Sequence, residues 1–350
     1  VTEHISCLDE DMSKAHDNKR PTIRDVASEA GVSYQTVSRV LNDHPRVAPN
    51  TREQVLRAMK KLGYQRNVAA QMLTTQRSRT IQLITVDGEF PFELLLFNSA
   101  QWGDYSAIYS DCTRATLSET LDKAAARLVE GIFLYAPKLR IDDDDLLAMS
   151  HGIPLVRRDF AIESKQITWV GFDQIRATQM AVQHLIDLGH RDIAVVTGTL
   201  QAINATWRYE SWKKTLIDNG LKPGPNAHGD YTTPKSAVRT GYEGMCQILE
   251  SGKPFTAVLI ANDYMTIGAL HALRAYGLRI PDDVSIVSYD NSPHASYLDP
   301  PLTTVEFTFD LQNRLAFQFL FERIENPDAE PHQHILLPDL IVRESTRPIG

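Results

Sequence analysis

Between Thr22 and Asn42 apolar residues fall at Ile23, Val26, Ala27 and Ala30, then at Val37, Val40 and Leu41, the three-and-four spacing of helices buried along one side. Gly31 separates the two stripes and suits the left-handed backbone of a tight turn, and Ser33 stands where a helix N-cap belongs. A third stripe follows in Val55, Ala58, Met59 and Leu62, with Gly63 at its end. The pattern predicts a small all-α domain over residues 20–65 with a helix-turn-helix at its centre. After Arg79 the period changes. Strand-length apolar runs (IQLIT from Ile81, YSAIYS from Tyr105, GIFLYA from Gly131, PLVRRDF from Pro154, DIAVVTG from Asp192, AVLIAND from Ala257, VSIVSYD from Val284) alternate with amphipathic segments such as Leu117 to Leu128, Ala177 to Leu188 and Thr266 to Tyr276. Repeated βα alternation over this much chain predicts two parallel sheets, each covered on both faces, forming a doubly wound α/β core over 80–350. Residues 66–79, between the two patterns, are polar and too few for a stable free helix, and residues 1–19 read as a disordered tail.

Charge sharpens the first pattern. The chain carries a net charge of −8, but Asn18 to Gln82 holds twelve Lys and Arg against four Asp and Glu. The second predicted helix presents Tyr34, Gln35, Ser38, Arg39 and Asn42 away from its apolar side. That is the chemistry of a recognition helix in the major groove: Gln35 can pair with a base edge, and Arg39 can donate two bonds to guanine O6 and N7. Thr22, Ser33, Asn42 and Thr51 fit phosphate contacts, which fix register without reading sequence.

The run from Thr22 to Asn42, with Val47 to Arg52 and Leu62-Gly63-Tyr64, resembles the headpiece of the LacI/GalR family of repressors. Ser33 to Arg39 is especially similar to the recognition helix of its lactose-responsive members, which implies base reading by Tyr34, Gln35 and Arg39 on a lactose-operator-like, near-palindromic duplex. The same resemblance adds Ile23, Thr36, Ser38, Arg46 and Tyr64 to the DNA-contacting set. It implies that 66–79 forms a hinge helix on DNA, with Asn67 near its start, Ala70 one turn before Leu73, and Leu73 inserted into the minor groove. Arg66 stands where many relatives have proline.

The resemblance continues through the core at Val170 to Asp173, Leu188 to Arg191, Ala261-Asn262-Asp263, Ile280 to Ser285, Pro301 to Val305 and Arg343 to Thr346. It implies the periplasmic-binding-protein fold, with an N-lobe of about 80–176 and 308–336 and a C-lobe of about 177–307 and 337–350. The implied effector contacts are Phe90, Asp159, Asn204, Arg208, Tyr231, Asn262, Asp290, Phe307 and Phe309. Polar groups would bond hydroxyls while Tyr231, Phe307 and Phe309 stack, a mixture that suits a mono- or disaccharide; a purine or other metabolite is the alternative. Two departures stand out: the segment from Phe90 to Tyr105 is about one helical turn shorter than usual for the family, and Phe307 replaces a residue that is polar in lactose-responsive members.

The remaining signals point away from other functions. Cys7, Cys112 and Cys246 share no metal-ligand or redox spacing, and no nucleophile elbow, HExxH pair, dinucleotide fingerprint or Walker loop occurs, so neither an enzyme nor a cofactor or metal is expected. His190-Arg191-Asp192 reads as a loop entering a strand, Asp142 to Asp145 as a solvated turn or helix start, and His271 and His294 as surface or helix-face histidines. With no apolar run of membrane-spanning length and a polar opening, the expectation is a cytoplasmic protein. The absence of an appended leucine heptad before Gly350 favours a homodimer. A solute-binding protein or enzyme of the same fold is the rival class; it would need no basic headpiece.

Overall fold

A computed structural model describes residues 21–41, 44–65, 77–87, 105–158, 164–231 and 233–349. The chain divides into two units, one up to Arg77 and one from Ser78. In the first, α1 (Ile23–Ala30), α2 (Tyr34–Leu41) and α3 (Pro49–Leu62) close around Val26, Ala27, Val37, Val40, Val55 and Ala58. A core this small depends on its caps. The Thr22 amide donates to Asp25 Oδ2 at 2.7 Å while the Asp25 amide donates back to Thr22 Oγ1 at 3.4 Å, a reciprocal cap worth about 1 kcal/mol. Gly31 ends α1 at φ 64°, and the Thr36 amide donates to Ser33 Oγ at 3.1 Å to start α2. Arg52 of α3 donates to the carbonyls of Val40 and His44, tying down the end of α2.

The second unit holds two six-stranded sheets. The first has the order β11-β5-β4-β3-β1-β2 and is wholly parallel: β1 (Thr80–Val86), β2 (Ser106–Cys112), β3 (Gly131–Tyr135), β4 (Leu155–Arg158), β5 (Thr168–Phe172) and β11 (Gln333–Leu336). On one face Ile84, Leu134 and Leu155 meet α4 (Leu117–Ala126) and α5 (Asp143–Met149); on the other, α10 (Phe309–Glu325) packs over β3 to β5, with Phe133 stacked on Phe317 at 4.5 Å. Helix α5 starts on Asp143, Asp144 and Asp145, whose charges favour a helix N-terminus.

The second sheet has the order β12-β10-β9-β8-β6-β7, from β6 (Ile193–Thr197), β7 (Asn226–His228), β8 (Ala257–Ile260), β9 (Ser285–Asp290), β10 (Thr303–Glu306) and β12 (Asp339–Ile341). Here one correction to strict parallel pairing arises, because β12 runs antiparallel to β10 at the edge. Ala177, Leu185, Trp212 and Leu216 of α6 (Gln174–Asp187) and α7 (Ile203–Asp218) bury one face, and Ala237, Met245, Met265 and Leu273 of α8 (Pro234–Glu250) and α9 (Asp263–Ala275) the other. The chain passes between the sheets at Asp173, at Phe307-Thr308 and at Leu337-Pro338.

Candidate DNA-reading face and effector cleft

The polar side of α2 is open to solvent as the hydrophobic pattern requires. Tyr34, Gln35 and Arg39 are exposed, and Thr36 and Ser38 are half-buried beside them. Tyr34 leaves 52% of its surface in water, beside Gln35 and Arg39 on the same open side of α2. Thr22, Ser33 and Arg46 are exposed, while Ile23, Thr51 and Tyr64 are half-buried against the headpiece core. Thr22 and Ser33 also act as caps, and the Thr22 hydroxyl donates to Asp25 Oδ2 at 2.7 Å, which leaves its oxygen to accept and not its hydrogen to give. Asn42, Asn67, Ala70 and Leu73, and with the last three the hinge helix, lie outside the described residues.

In the core, predicted effector residues fall at successive carboxyl ends of the second sheet, where open α/β folds place ligands. Tyr231 follows β7, Asn262 follows β8, Asp290 ends β9, Phe307 follows β10, and Asn204 precedes Arg208 by one turn on α7. Asn262 divides its amide: Oδ1 accepts from the Met265 amide at 2.8 Å, capping α9, and Nδ2 donates to the Tyr231 hydroxyl at 3.0 Å. Arg208, only 4% exposed, donates Nε to Gln174 Oε1 at 2.8 Å and Nη1 to the Ala261 carbonyl. Its guanidinium lies 4.2 Å from the Tyr289 ring centre and 5.4 Å from that of Phe307. Burial pushes the Tyr289 hydroxyl up to about 12, against the lowering pull of Arg208. That hydroxyl stays protonated and donates to Thr178 Oγ1 at 2.8 Å.

Phe307 sits at a crossing between the sheets, 4.7 Å from Phe172 and 6.1 Å from Phe309, so the rings form one seam from lobe to lobe. Across the same gap Lys138 Nζ meets Asp230 Oδ1 at 2.8 Å. Asn204 and Asp290 are half-buried at the margin of the group, and Asp290 has φ 99°. Phe90 and Asp159 lie outside the described residues. Sequence reasoning missed Tyr135, Arg158, Gln174 and Tyr289; the one available signal was two arginines closing an otherwise apolar strand run, LVRR. Two surface concavities, of about 630 Å³ beside Gln183 and Asp218 and about 580 Å³ beside Tyr242 and His271, lie on the outer helices, away from this seam.

A three-helix domain with a polar, exposed second helix, on one chain with two α/β lobes that share a cleft of forked donors and rings, is the build of a ligand-responsive DNA-binding regulator. Residues 22–67 match the family described as "Bacterial regulatory proteins, lacI family", and 182–346 match the "Periplasmic binding protein-like domain". The chain belongs to the lacI family of bacterial regulatory proteins. Among its relatives are the HTH-type transcriptional repressor PurR of Pasteurella multocida, 32% identical over 93% of this chain and 98% of that protein. The HTH-type transcriptional regulator CelR of Thermobifida fusca is likewise 32% identical over 93% of this chain and 98% of that one. Of solved structures, the Lac repressor dimer bound to operator and the anti-inducer ONPF superposes with a TM-score of 0.83 at 30% identity, covering 94% of this chain and 100% of that one. A CelR–cellobiose complex gives 0.65 at 30% identity, over 93% and 100%.

Proposed function

We propose that the protein is a transcriptional repressor that binds a near-palindromic operator as a homodimer and releases or tightens on it according to a small molecule held between the lobes. Tyr34, Gln35 and Arg39 read base edges; Ser33, Thr51 and Arg46 position the headpiece on phosphates, while Thr22 keeps both its hydroxyl and its amide hydrogen on Asp25. The 66–79 segment pairs with its dimer mate, with Leu73 as the minor-groove wedge. The effector is a mono- or disaccharide. The observation that carries this reading is Arg208, a buried fork held over the Tyr289 and Phe307 rings at the carboxyl ends of the strands, beside the Asn262 and Tyr231 pair. Fixed polar groups against aromatic faces are what a polyhydroxylated ring needs, and lobe closure around it couples to DNA by about 1–3 kcal/mol.

The names of the CelR–cellobiose complex and of a Lac repressor bound to ONPG support a sugar. A purine is the second reading, favoured by the flat Tyr289–Phe307 stack, with interplanar angle 16°, and by the PurR relatives. Gel shift on a lactose-operator-like palindrome, with and without cellobiose, lactose or hypoxanthine, tests both. Operator binding that responds to a sugar and loses that response in Arg208→Met supports the proposal. A response to hypoxanthine alone selects the purine reading, and a response retained in Arg208→Met overturns the cleft assignment.

A further inference from the structure

A buried carboxylate ties together two of the strand ends that carry the predicted effector residues. Asp263, the first residue of α9 and the next after Asn262, has no surface in water. A helix start gains from an acid, but a charge withdrawn from water costs more than that gain unless donors surround it. Here the donors come from the turn that ends β9 and from the strands beside α9. The Ser292 amide donates to Asp263 Oδ2 at 2.6 Å, and the Thr304 hydroxyl donates to Oδ1 at 3.1 Å. With its hydrogen turned that way, Thr304 Oγ1 accepts from the Asn291 amide at 3.3 Å. Both amides that follow Asp290 thus end, directly or through one hydroxyl, on the same carboxylate. Burial pushes the Asp263 carboxyl up, and the bonds from Ser288, Ser292 and Thr304, with the nearby His294, pull it back down. The turn so held has a backbone that side chains rarely adopt: Asp290 lies at φ 99° and Asn291 at φ 50°. Such residues persist where their surroundings over-determine them, and the Asn291 side chain is gripped as well. Its Nδ2 donates to Glu306 Oε1 at 2.7 Å and its Oδ1 accepts from Arg343 Nη2 at 2.7 Å.

We propose, resting on the reading of Asn262 and Asp290 as effector contacts, that Asp263 is the positioning residue of the cleft. It locks the Asp290 turn, fixes Asp290 relative to Asn262 at the neighbouring strand end, and sets effector affinity through Asp290 without touching the effector itself. A carboxylate suits the task because an ionised one offers acceptors only, and both groups that meet it here are donors. An asparagine of the same size must turn its NH2 toward the Ser292 amide or toward the Thr304 hydroxyl. Either way one donor loses its acceptor, and the turn is free to relax toward an ordinary backbone, carrying the Asp290 side chain out of register with Asn262.

The test is a double-mutant cycle by calorimetry on the full chain, with cellobiose, lactose and hypoxanthine as probes. Asp263→Asn should weaken whichever probe binds the parent by about 10-fold or more, the worth of a hydrogen bond to a charged group. In an Asp290→Ala background the same substitution should change Kd by less than about 2-fold, because a residue that acts only through Asp290 has nothing left to act on. Thr304→Val cuts the Asn291 arm alone and should give a smaller loss that vanishes in the same background, a second route should Asp263→Asn melt too low to assay. Hydrogen exchange needs no ligand: the Asn291 and Ser292 amides should exchange about 10-fold faster or more in Asp263→Asn, with those at the centre of β8 and β9 unchanged. Equal losses of affinity in both backgrounds, or unchanged exchange at Asn291 and Ser292, overturn the positioning role and leave the cleft reading standing. An Asp290→Ala protein that binds its probe as tightly as the parent overturns the proposal and removes Asp290 from the cleft. Silence from every probe overturns the cleft reading and the proposal together.

Discussion

Arg39 separates reading from folding more cleanly than any other residue of the headpiece. Its side chain is exposed on the last turn of α2, so truncation to alanine removes little packing and places the best helix former in a helix. The lost attraction to the helix C-terminus limits the stability change to within about 0.5 kcal/mol. On DNA the same change removes a bidentate guanine contact, worth about 1–3 kcal/mol, so Kd rises about 5- to 150-fold for each half-site. Salt dependence identifies the kind of contact. A base contact leaves the slope of log K against log salt almost unchanged, whereas each lost phosphate contact reduces it by about 0.9. Fluorescence anisotropy on a labelled palindrome over a salt series, with thermal melting of the same preparation, supplies both numbers. Arg52→Ala is the contrast: Arg52 grips the Val40 and His44 carbonyls, so its loss should lower the headpiece melting temperature before affinity is considered. Unchanged affinity in Arg39→Ala, or a slope that falls by a full phosphate contact with no loss of discrimination against scrambled DNA, refutes the base-reading role.

Two further outcomes test the core. An alanine Cβ at Gly268 would stand 1.9 Å from the Val238 carbonyl oxygen, where α8 and α9 touch backbone to backbone; Gly268→Ala should therefore cost about 1–3 kcal/mol or more by urea unfolding, and an unchanged midpoint would mean that the helices separate freely. Burial lowers the pKa values of His184 and His190 from 6.5, and His190 accepts from the Thr256 hydroxyl on Nδ1 while donating Nε2–H to the Arg347 carbonyl. Folded values below unfolded ones mean that this stability is complete above pH 6.5 and is lost as the pH falls below it. The melting temperature should drop from pH 7.5 to 5.5, and less steeply in His190→Gln; parallel slopes would remove this histidine from the account.

The headpiece was legible because each of its helices carries an apolar stripe and a local boundary signal: the Thr22 cap and Gly31 for α1, Ser33 for α2, and Gly63 at the end of α3. The core was legible mostly where an apolar run is bounded by turn residues or by helical segments. Strands β5, β7, β10, β11 and β12 are not among the runs read from the pattern: β5, TWVGF, is five residues with a glycine inside it, and the others are three or four residues long and in part polar. β11 reads QHIL with three residues exposed, and pairing with β5 makes it a strand. The cleft shows the same limit. Asn262 and Asp290 could be placed at strand ends from the pattern, but Arg158 gains meaning only once β4 lies beside β3 and α10 brings Phe309 over it. Gln174 looks like an ordinary helix start until Arg208, from a helix 34 residues on, donates to it.

The crossing at Leu337-Pro338 bears on the order of events at the ribosome. The first lobe begins at Thr80, yet the helix that covers one face of its sheet starts at Phe309, and the strand that shields the edge of β5 is Gln333–Leu336. While the second lobe is being synthesised, the first must wait half-clad, with an apolar sheet face and an open strand edge of the kind that invites pairing with another chain. Truncation late in the message therefore does not trim the protein from its far end: it strips the earliest-made lobe.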